Sequence, residues 1–449
     1  MKSVKAFISA LLVFAMTLGL VGIAKAESPV SFSGFLRLRA FALGGFFDTD
    51  PKSGESVGDK YADTRFALSM VFKPSDNVEV LWGLHAPTGA RWGGDFTDFR
   101  TTHAFGRVRT TVGTFSAGRV TADIDSAGLA SLGYSPSWGF SSLGNVFDTD
   151  SEKDGVMFSN EWANGFGIKA YYVKRSSVVP TPANHPKDAD WNRYSFEPRY
   201  EWNNGGVALA VTYDDDKRAD IHKNWIVSVN PAVALKFQVT ENAFLAFHLE
   251  AKYSSGEYQL KSDSDSSRQT GFGAYADATV EYPGGDATVA GWYLSGNDEG
   301  VLAKPVKKKN LVGAGQGFYP FFIFNQNFVT PGTFVGLGGA SDDDYRADAT
   351  NLWAVALLGN HAITENVTLN YGVGHFSKVA DYFVKADVKA SKKLGTEFDL
   401  GVTAKFSENI SYSTKVGYFI PGAYHNDRHA TNEYKNDVWG WANELVFSF

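Results

Sequence analysis

The chain has no cysteine. No disulfide can therefore staple it in an oxidising compartment, and its stability must come from elsewhere. It also lacks long apolar runs. Beyond the first 26 residues, no stretch approaches the roughly 20 apolar residues that a membrane helix needs. It has no G-x-S-x-G, H-E-x-x-H or Walker motif, and its nine histidines are scattered, so no spacing points to catalysis. A basic excess is missing too. Residues 1–26 carry three lysines and no acid, which leaves 39 Lys+Arg (42 − 3) against 49 Asp+Glu, a net charge of −10. That balance argues against a nucleic-acid partner.

What is present begins with an export signal. Lys2 and Lys5 precede the apolar "AFISALLVFAMTLGLVGIA", and Ala24-Lys25-Ala26 has the small-x-small form of a cleavage site. Residues 1–26 are therefore expected to be a signal peptide, with 27–449 as a single domain. A lone membrane anchor is the alternative. The chain as a whole is rich in aromatics (Phe 35, Tyr 20, Trp 11) and glycine (46).

The dominant pattern is alternation with a period of two. In "RYSFEPRYEW", Tyr194, Phe196, Pro198, Tyr200 and Trp202 fall on one parity, and Arg193, Ser195, Glu197, Arg199 and Glu201 on the other. "LGTEFDLGVTAKF" sets Leu394, Phe398, Leu400, Val402, Ala404 and Phe406 against Gly395, Glu397, Asp399, Thr403 and Lys405. "TRFALSMVF" places Phe66, Leu68, Met70 and Phe72 opposite Arg65 and Ser69. Such strands have one apolar and one polar face. A soluble sandwich turns the apolar face inward; a transmembrane barrel turns it outward, toward lipid.

The connections favour the barrel. Tight turns at 75–77, near Gly113-Thr114, and at 163–165, 203–206, 240–242, 283–286, 364–366 and 407–409 alternate with longer polar segments. Short periplasmic turns and long outer loops are the rhythm of an outer-membrane barrel. The expected strands are 31–43, 61–73, 78–86, 102–112, 115–121, 154–162, 166–174, 193–202, 207–214, 224–238, 243–254, 269–282, 287–295, 347–361, 367–376, 393–406, 410–419 and 437–449. The fold class is thus all-β: an antiparallel up-and-down barrel of about 18 strands. Aromatics near strand ends, Trp82, Trp202, Tyr253, Tyr282, Tyr418, Trp439 and the final Phe449, suit the membrane interface. The expected location is the bacterial outer membrane, with lipid and lipopolysaccharide as surroundings.

A barrel of this size leaves an aqueous lumen, so lumen-facing side chains are the functional candidates. Arg37, Arg39, Arg65, Arg193 and Arg199 take the polar parity, as do Arg107 and Arg109. Glu197, Glu397 and Asp399 are among the acids that share it. A guanidinium fork suits carboxylate, sulfate or phosphate, so an Arg-lined pore would favour anions or acidic sugars. The same charges could instead pair across the wall and only brace it. The longest outer loop, 296–346, carries Phe318, Tyr319, Phe321, Phe322 and Phe324, which either fold back as a constriction or extend strands above the membrane. Asp214-Asp215-Asp216 and Asp342-Asp343-Asp344 are loop clusters where calcium is conceivable; no other cofactor or metal is implied.

"KKLGTEFDLGVTAKFSENISYSTKVGYFIPGAYH" resembles the closing region of the alginate-export family of outer-membrane porins, through Gly395, Glu397, Asp399, Leu400, Gly417, Phe419, Pro421 and Gly422. "FSGFLRLRA", with Arg37 and Arg39, is similar to that family's first strand. The resemblance implies an eighteen-stranded barrel, an Arg-rich pore for an acidic polysaccharide, and a monomer; porins at large also form trimers. The expected function is passive passage of small hydrophilic solutes or acidic saccharides. The alternatives are a carboxylate or amino-acid porin and a plugged barrel with a structural or surface-binding role.

Overall fold

The computed structural model describes residues 30–46, 57–85, 90–91, 100–120, 153–177, 190–216, 221–260, 267–297, 299–300, 351–385, 388–428 and 437–449. Eighteen long strands form one antiparallel sheet that closes on itself. They are β1 Val30–Phe46, β2 Val57–Ser75, β3 Val78–His85, β4 Arg100–Thr110, β5 Gly113–Val120 and β6 Lys153–Glu161. Then come β7 Phe166–Ser177, β8 Asp190–Trp202, β9 Gly205–Asp216, β10 Ile221–Thr240, β11 Ala243–Leu260 and β12 Ser267–Tyr282. The ring is completed by β13 Gly285–Leu294, β14 Leu352–Thr364, β15 Val367–Lys378, β16 Lys393–Ser407, β17 Ile410–Pro421 and β18 Val438–Ser448. Each strand pairs with the next, and β18 pairs with β1. The two-residue strand Ala90–Arg91 adds to the edge of β2.

Closure satisfies the backbone groups that an open edge would expose, as hydrocarbon requires. The last residue completes it. Gly34 N donates to Phe449 O at 2.8 Å, and Phe449 N donates to Gly34 O at 3.1 Å. The Phe449 ring lies over Gly34, where a Cβ would stand 2.9 Å from its Cζ, and stacks on Phe66 of β2 at 6.3 Å. Phe66 and Leu68 pack there with Leu36 and Leu84. They are thus buried on the outward parity, unlike the exposed Phe72 beyond them.

The alternation is of the barrel type. Along β14, Trp353, Val355 and Leu357 point outward and are exposed, while the residues between them are buried. Exposed Val207, Leu209, Val211 and Tyr213 alternate with the inward Thr212 and Asp214 on β9. Trp82, Trp202, Tyr253, Tyr418, Trp439 and Phe449 are all exposed.

Several boundaries differ from the sequence expectation. The wall is taller than expected at β10 and β11, which continue as paired strands to Ile221 and Leu260. The segments joining β9 to β10 and β11 to β12 shrink to 217–220 and 261–266. Polar residues above the bilayer can continue a ladder as readily as form a loop, so composition did not separate the two. The turn expected near Gly113-Thr114 sits at Thr111–Val112, and the expected strand 347–361 is Leu352–Thr364. Leu394, expected outward with Phe398, is fully buried. The β15–β16 ladder slips between Phe376/Ser377, and Gly395 takes φ 150, a conformation that glycine alone adopts readily. A proline also interrupts a strand. Opposite Pro231 the β10–β11 ladder breaks, and the Asn230 side chain donates to Ala251 O at 2.6 Å, filling in for the N–H that proline lacks.

The loop end carries a small tertiary unit. Glu299–Gly300 runs parallel to Tyr382–Phe383, whose strand Tyr382–Lys385 pairs with Val388–Lys389. The short helix Ala423–Arg428 packs beside it, with Tyr424 edge-on to Tyr382 at 5.7 Å. Asn351, at φ 56, accepts from Val379 N and Ala380 N at 3.1 and 2.6 Å. Lys389 Nζ and Lys392 Nζ reach Asp381 at 2.5 and 3.0 Å. The hydrogen bond from Lys389, joined by Lys392, holds the Asp381 carboxyl below its ordinary range.

Candidate functional site

The charged parity of the strands faces the barrel interior, and most of the candidate residues sit there in ion pairs. Arg37 lies 3.5 Å from Glu444 of β18, each about one-fifth exposed. Arg39 is buried, opposite Glu444 in the ladder and 5.1 Å from the Phe41 ring centroid. Arg65 stands opposite Arg37 in the β1–β2 register. Arg107 and Arg109 both donate to Oε1 of Glu79, at 2.8 and 2.6 Å. Arg193 grips Asp214 through two bonds of 2.9 Å. Glu197 accepts from Ser195 and lies 3.6 Å from Lys169. Arg199 pairs with Glu161 and, at 3.7 Å, with Glu201. Asp399 lies 3.3 Å from Lys415, and Glu397 is fully buried.

Bracing thus accounts for much of the charge, as the second sequence reading allowed. The lysines Lys73, Lys169, Lys236 and Lys415 belong to these pairs. Each takes the polar parity of its strand, and that parity, rather than the guanidinium fork, is the sequence signal that finds them. Asp214-Asp215-Asp216 does not form an oxygen cluster in a loop. It ends β9, where successive side chains point to opposite faces, and Asp214 is held by Arg193. Among the described residues, no three His, Cys, Asp or Glu side chains converge as metal ligands. The aromatic run Phe318, Tyr319, Phe321, Phe322 and Phe324, the cluster Asp342-Asp343-Asp344 and the segment 1–26 lie outside the described residues.

The charge is unevenly distributed around the ring. On β1–β4, the cations Arg37, Arg39, Lys73, Arg107 and Arg109 accompany the acids Glu79 and Glu444 from β3 and β18. On β11 and β12, His248 lies 3.8 Å from Glu250 and 3.5 Å from Asp277, and Asn230 donates to Glu250 at 3.1 Å. Strands β3 and β4 stand eight places from β11 and β12 in the ring of eighteen. The strands that bear these cations therefore lie across the ring from the strands that bear these acids, where Lys252 shares the inward parity of Glu250.

The interior is not polar throughout. Phe105, Met157, Tyr171 and Val173 form one inward apolar cluster, with Leu81 against it. Leu358, Phe376 and Phe419 are inward and almost inaccessible on the opposite side. On β14 both parities are apolar, so alternation alone could not reveal that its inner face is covered.

A closed eighteen-stranded antiparallel barrel, apolar outside and charged within, has the fold of outer-membrane porins. The solved structures it is similar to include three from Pseudomonas aeruginosa. OpdL and OpdQ match at a TM-score of 0.53 with 11% and 12% identity; they cover 93% and 94% of this chain and 99% and 97% of their own. OccK9 (OpdG) matches at 0.53 with 12% identity, over 93% of this chain and 98% of its own. No protein-family model and no curated protein sequence matches the chain. At this identity the likeness defines the fold alone.

Proposed function

We propose that the protein is a passive outer-membrane channel for small hydrophilic solutes, with a preference for anions, acidic saccharides among them. The observation that carries this reading is the cation-rich wall of β1–β4 facing the acid-rich wall of β11–β12. A solute moving down its gradient would meet a transverse field that orients its charged groups. The resemblance to alginate-export barrels in β1, β16 and β17 is compatible with an acidic saccharide, and that substrate class is part of the proposal.

The test is the single-channel conductance of purified protein in a planar bilayer, with the reversal potential read in a salt gradient. In Arg37→Ala/Arg39→Ala, Glu444 loses its cationic neighbours, so the reversal potential should move toward cation selectivity. Open channels with unchanged selectivity would remove these arginines from the pathway. The burial of the inward apolar residues favours a second reading, a barrel occluded at that level with a structural or binding role. A bilayer that stays silent would support it.

A further inference from the structure

One carboxylate near the short-turn mouth of the barrel collects three cations from two neighbouring strands. Glu79, on β3, lies two residues past the turn at 76–77. Its Oε1 accepts from Arg107 and Arg109 of β4 at 2.8 and 2.6 Å, and its Oε2 lies 3.8 Å from Lys73 Nζ of β2. Arg109 N also donates to Asn77 O, fixing β4 against the turn. We propose that Lys73 and Arg109, held by Glu79 and backed by Arg107, form a binding site for a small oxyanion, a carboxylate or a phosphate, at this mouth.

Three features of the cluster carry the proposal. The first is charge. Three cations share one carboxylate, and Asp76 in the adjacent turn makes no ion pair with any of them. Lys73 and Arg109 alone already outweigh the single charge of Glu79. The second is access. The Glu79 side chain is 4% exposed and that of Arg107 is 11%, whereas those of Arg109 and Lys73 are 43% and 58% exposed. The inner half of the cluster is therefore a brace, with Arg107 also seated 5.4 Å from the Phe105 ring centroid. The outer half is open. The third is donor capacity. Arg109 uses one arm of its planar fork on Glu79 and keeps N–H groups that suit a second oxyanion, while Lys73 adds a mobile point charge. Glu79 is a positioning residue here: it sets the two guanidinium groups side by side without cancelling them.

The proposal rests on the channel reading above for its role, since solute passes this mouth only if the barrel conducts. The site itself can be measured without conduction. Inorganic phosphate is titrated against the full-length chain folded in detergent, at low ionic strength, and its 31P line width is followed. Saturable broadening is expected in the wild type. In Lys73→Ala/Arg109→Ala the apparent affinity should fall by roughly tenfold or more, while Arg109→Lys should retain part of it. Lys405→Ala, an exposed lysine at the turn end of β16, should change nothing. Absence of saturable broadening, or an equal loss in Lys405→Ala, would overturn the site. Conductance without phosphate binding would leave the channel and remove the site. Phosphate binding with a silent bilayer would do the reverse.

Discussion

Replacing Asp214 by alanine should destabilise the barrel far more than its distance from any turn or seam would suggest. Asp214 takes two hydrogen bonds of 2.9 Å from Arg193 across β8 and β9, and both side chains are less than a tenth exposed. The Coulombic gain in such a pair is largely cancelled by desolvation, so the pair itself adds little net stability. Removing one partner is different. The Arg193 guanidinium stays inside without the carboxylate that fits its fork, at a cost of about 3–5 kcal/mol. Arg193→Met/Asp214→Leu removes both charges and keeps volume, and should return to within about 1–2 kcal/mol of the wild type. The assay is equilibrium urea unfolding of the folded barrel in lipid vesicles, read by tryptophan fluorescence and by heat-dependent gel mobility. If Asp214→Ala unfolds at the wild-type midpoint, the pair is solvated and the reading of a closely packed inner wall there is wrong. If the double variant is as unstable as the single one, the loss comes from packing and not from a stranded charge.

Other parts of the wall make separate predictions. Asn230→Ala should leave the Ala251 carbonyl without its side-chain donor beside Pro231, costing about 1–3 kcal/mol and raising amide exchange locally on β10 and β11. Phe449→Ala removes the ring that covers Gly34 and stacks on Phe66; since that ring is nearly half exposed, the loss should be about 1 kcal/mol, seen as a lower urea midpoint with unchanged far-UV circular dichroism. The Asp381 carboxyl, held low by Lys389 and Lys392, should clamp the Tyr382–Lys389 hairpin fully at neutral pH. Because the folded value lies below the ordinary one, the clamp persists above roughly pH 4 and is lost as pH falls through the depressed value. Limited proteolysis with an acid-active protease should then begin at that hairpin, and Asp381→Asn should be cut equally at higher pH.

Much of the architecture could be read before any coordinates. Period-two alternation in strands such as 193–202 and 393–406, with tight turns at regular intervals, leads to eighteen strands because both signals are local. What escaped is what depends on partners. Nothing local to Leu394 announces that β15 and β16 slip by one residue beside it. The tops of β10 and β11 mix polar and apolar residues without a clean alternation, so their pairing is set by the neighbouring strand and not by hydropathy. Arg107, Arg109, Arg193 and Arg199 were legible as inward charges from parity alone. Which acid each one meets was not, since Glu79 and Asp214 reach them across strand pairs whose register no single segment encodes. The inner apolar residues were hidden for the opposite reason. Phe105 and Phe376 fall on a polar parity as isolated exceptions, and only closure of the ring shows them on the inner wall.

The bonds between Gly34 and Phe449 have a consequence for how the molecule is made. They join positions roughly four hundred residues apart, so the contact that seals the ring has nearly the longest separation the chain permits. Such contacts form slowly, because loop entropy must be overcome before they contribute. Strand β1 keeps one edge bare until β18 and Phe449 pair with it. A nascent chain cut short anywhere in β18 would keep that edge open, ready to pair with a neighbouring molecule. Folding therefore has to keep the β1 edge from other partners until β18 closes on it.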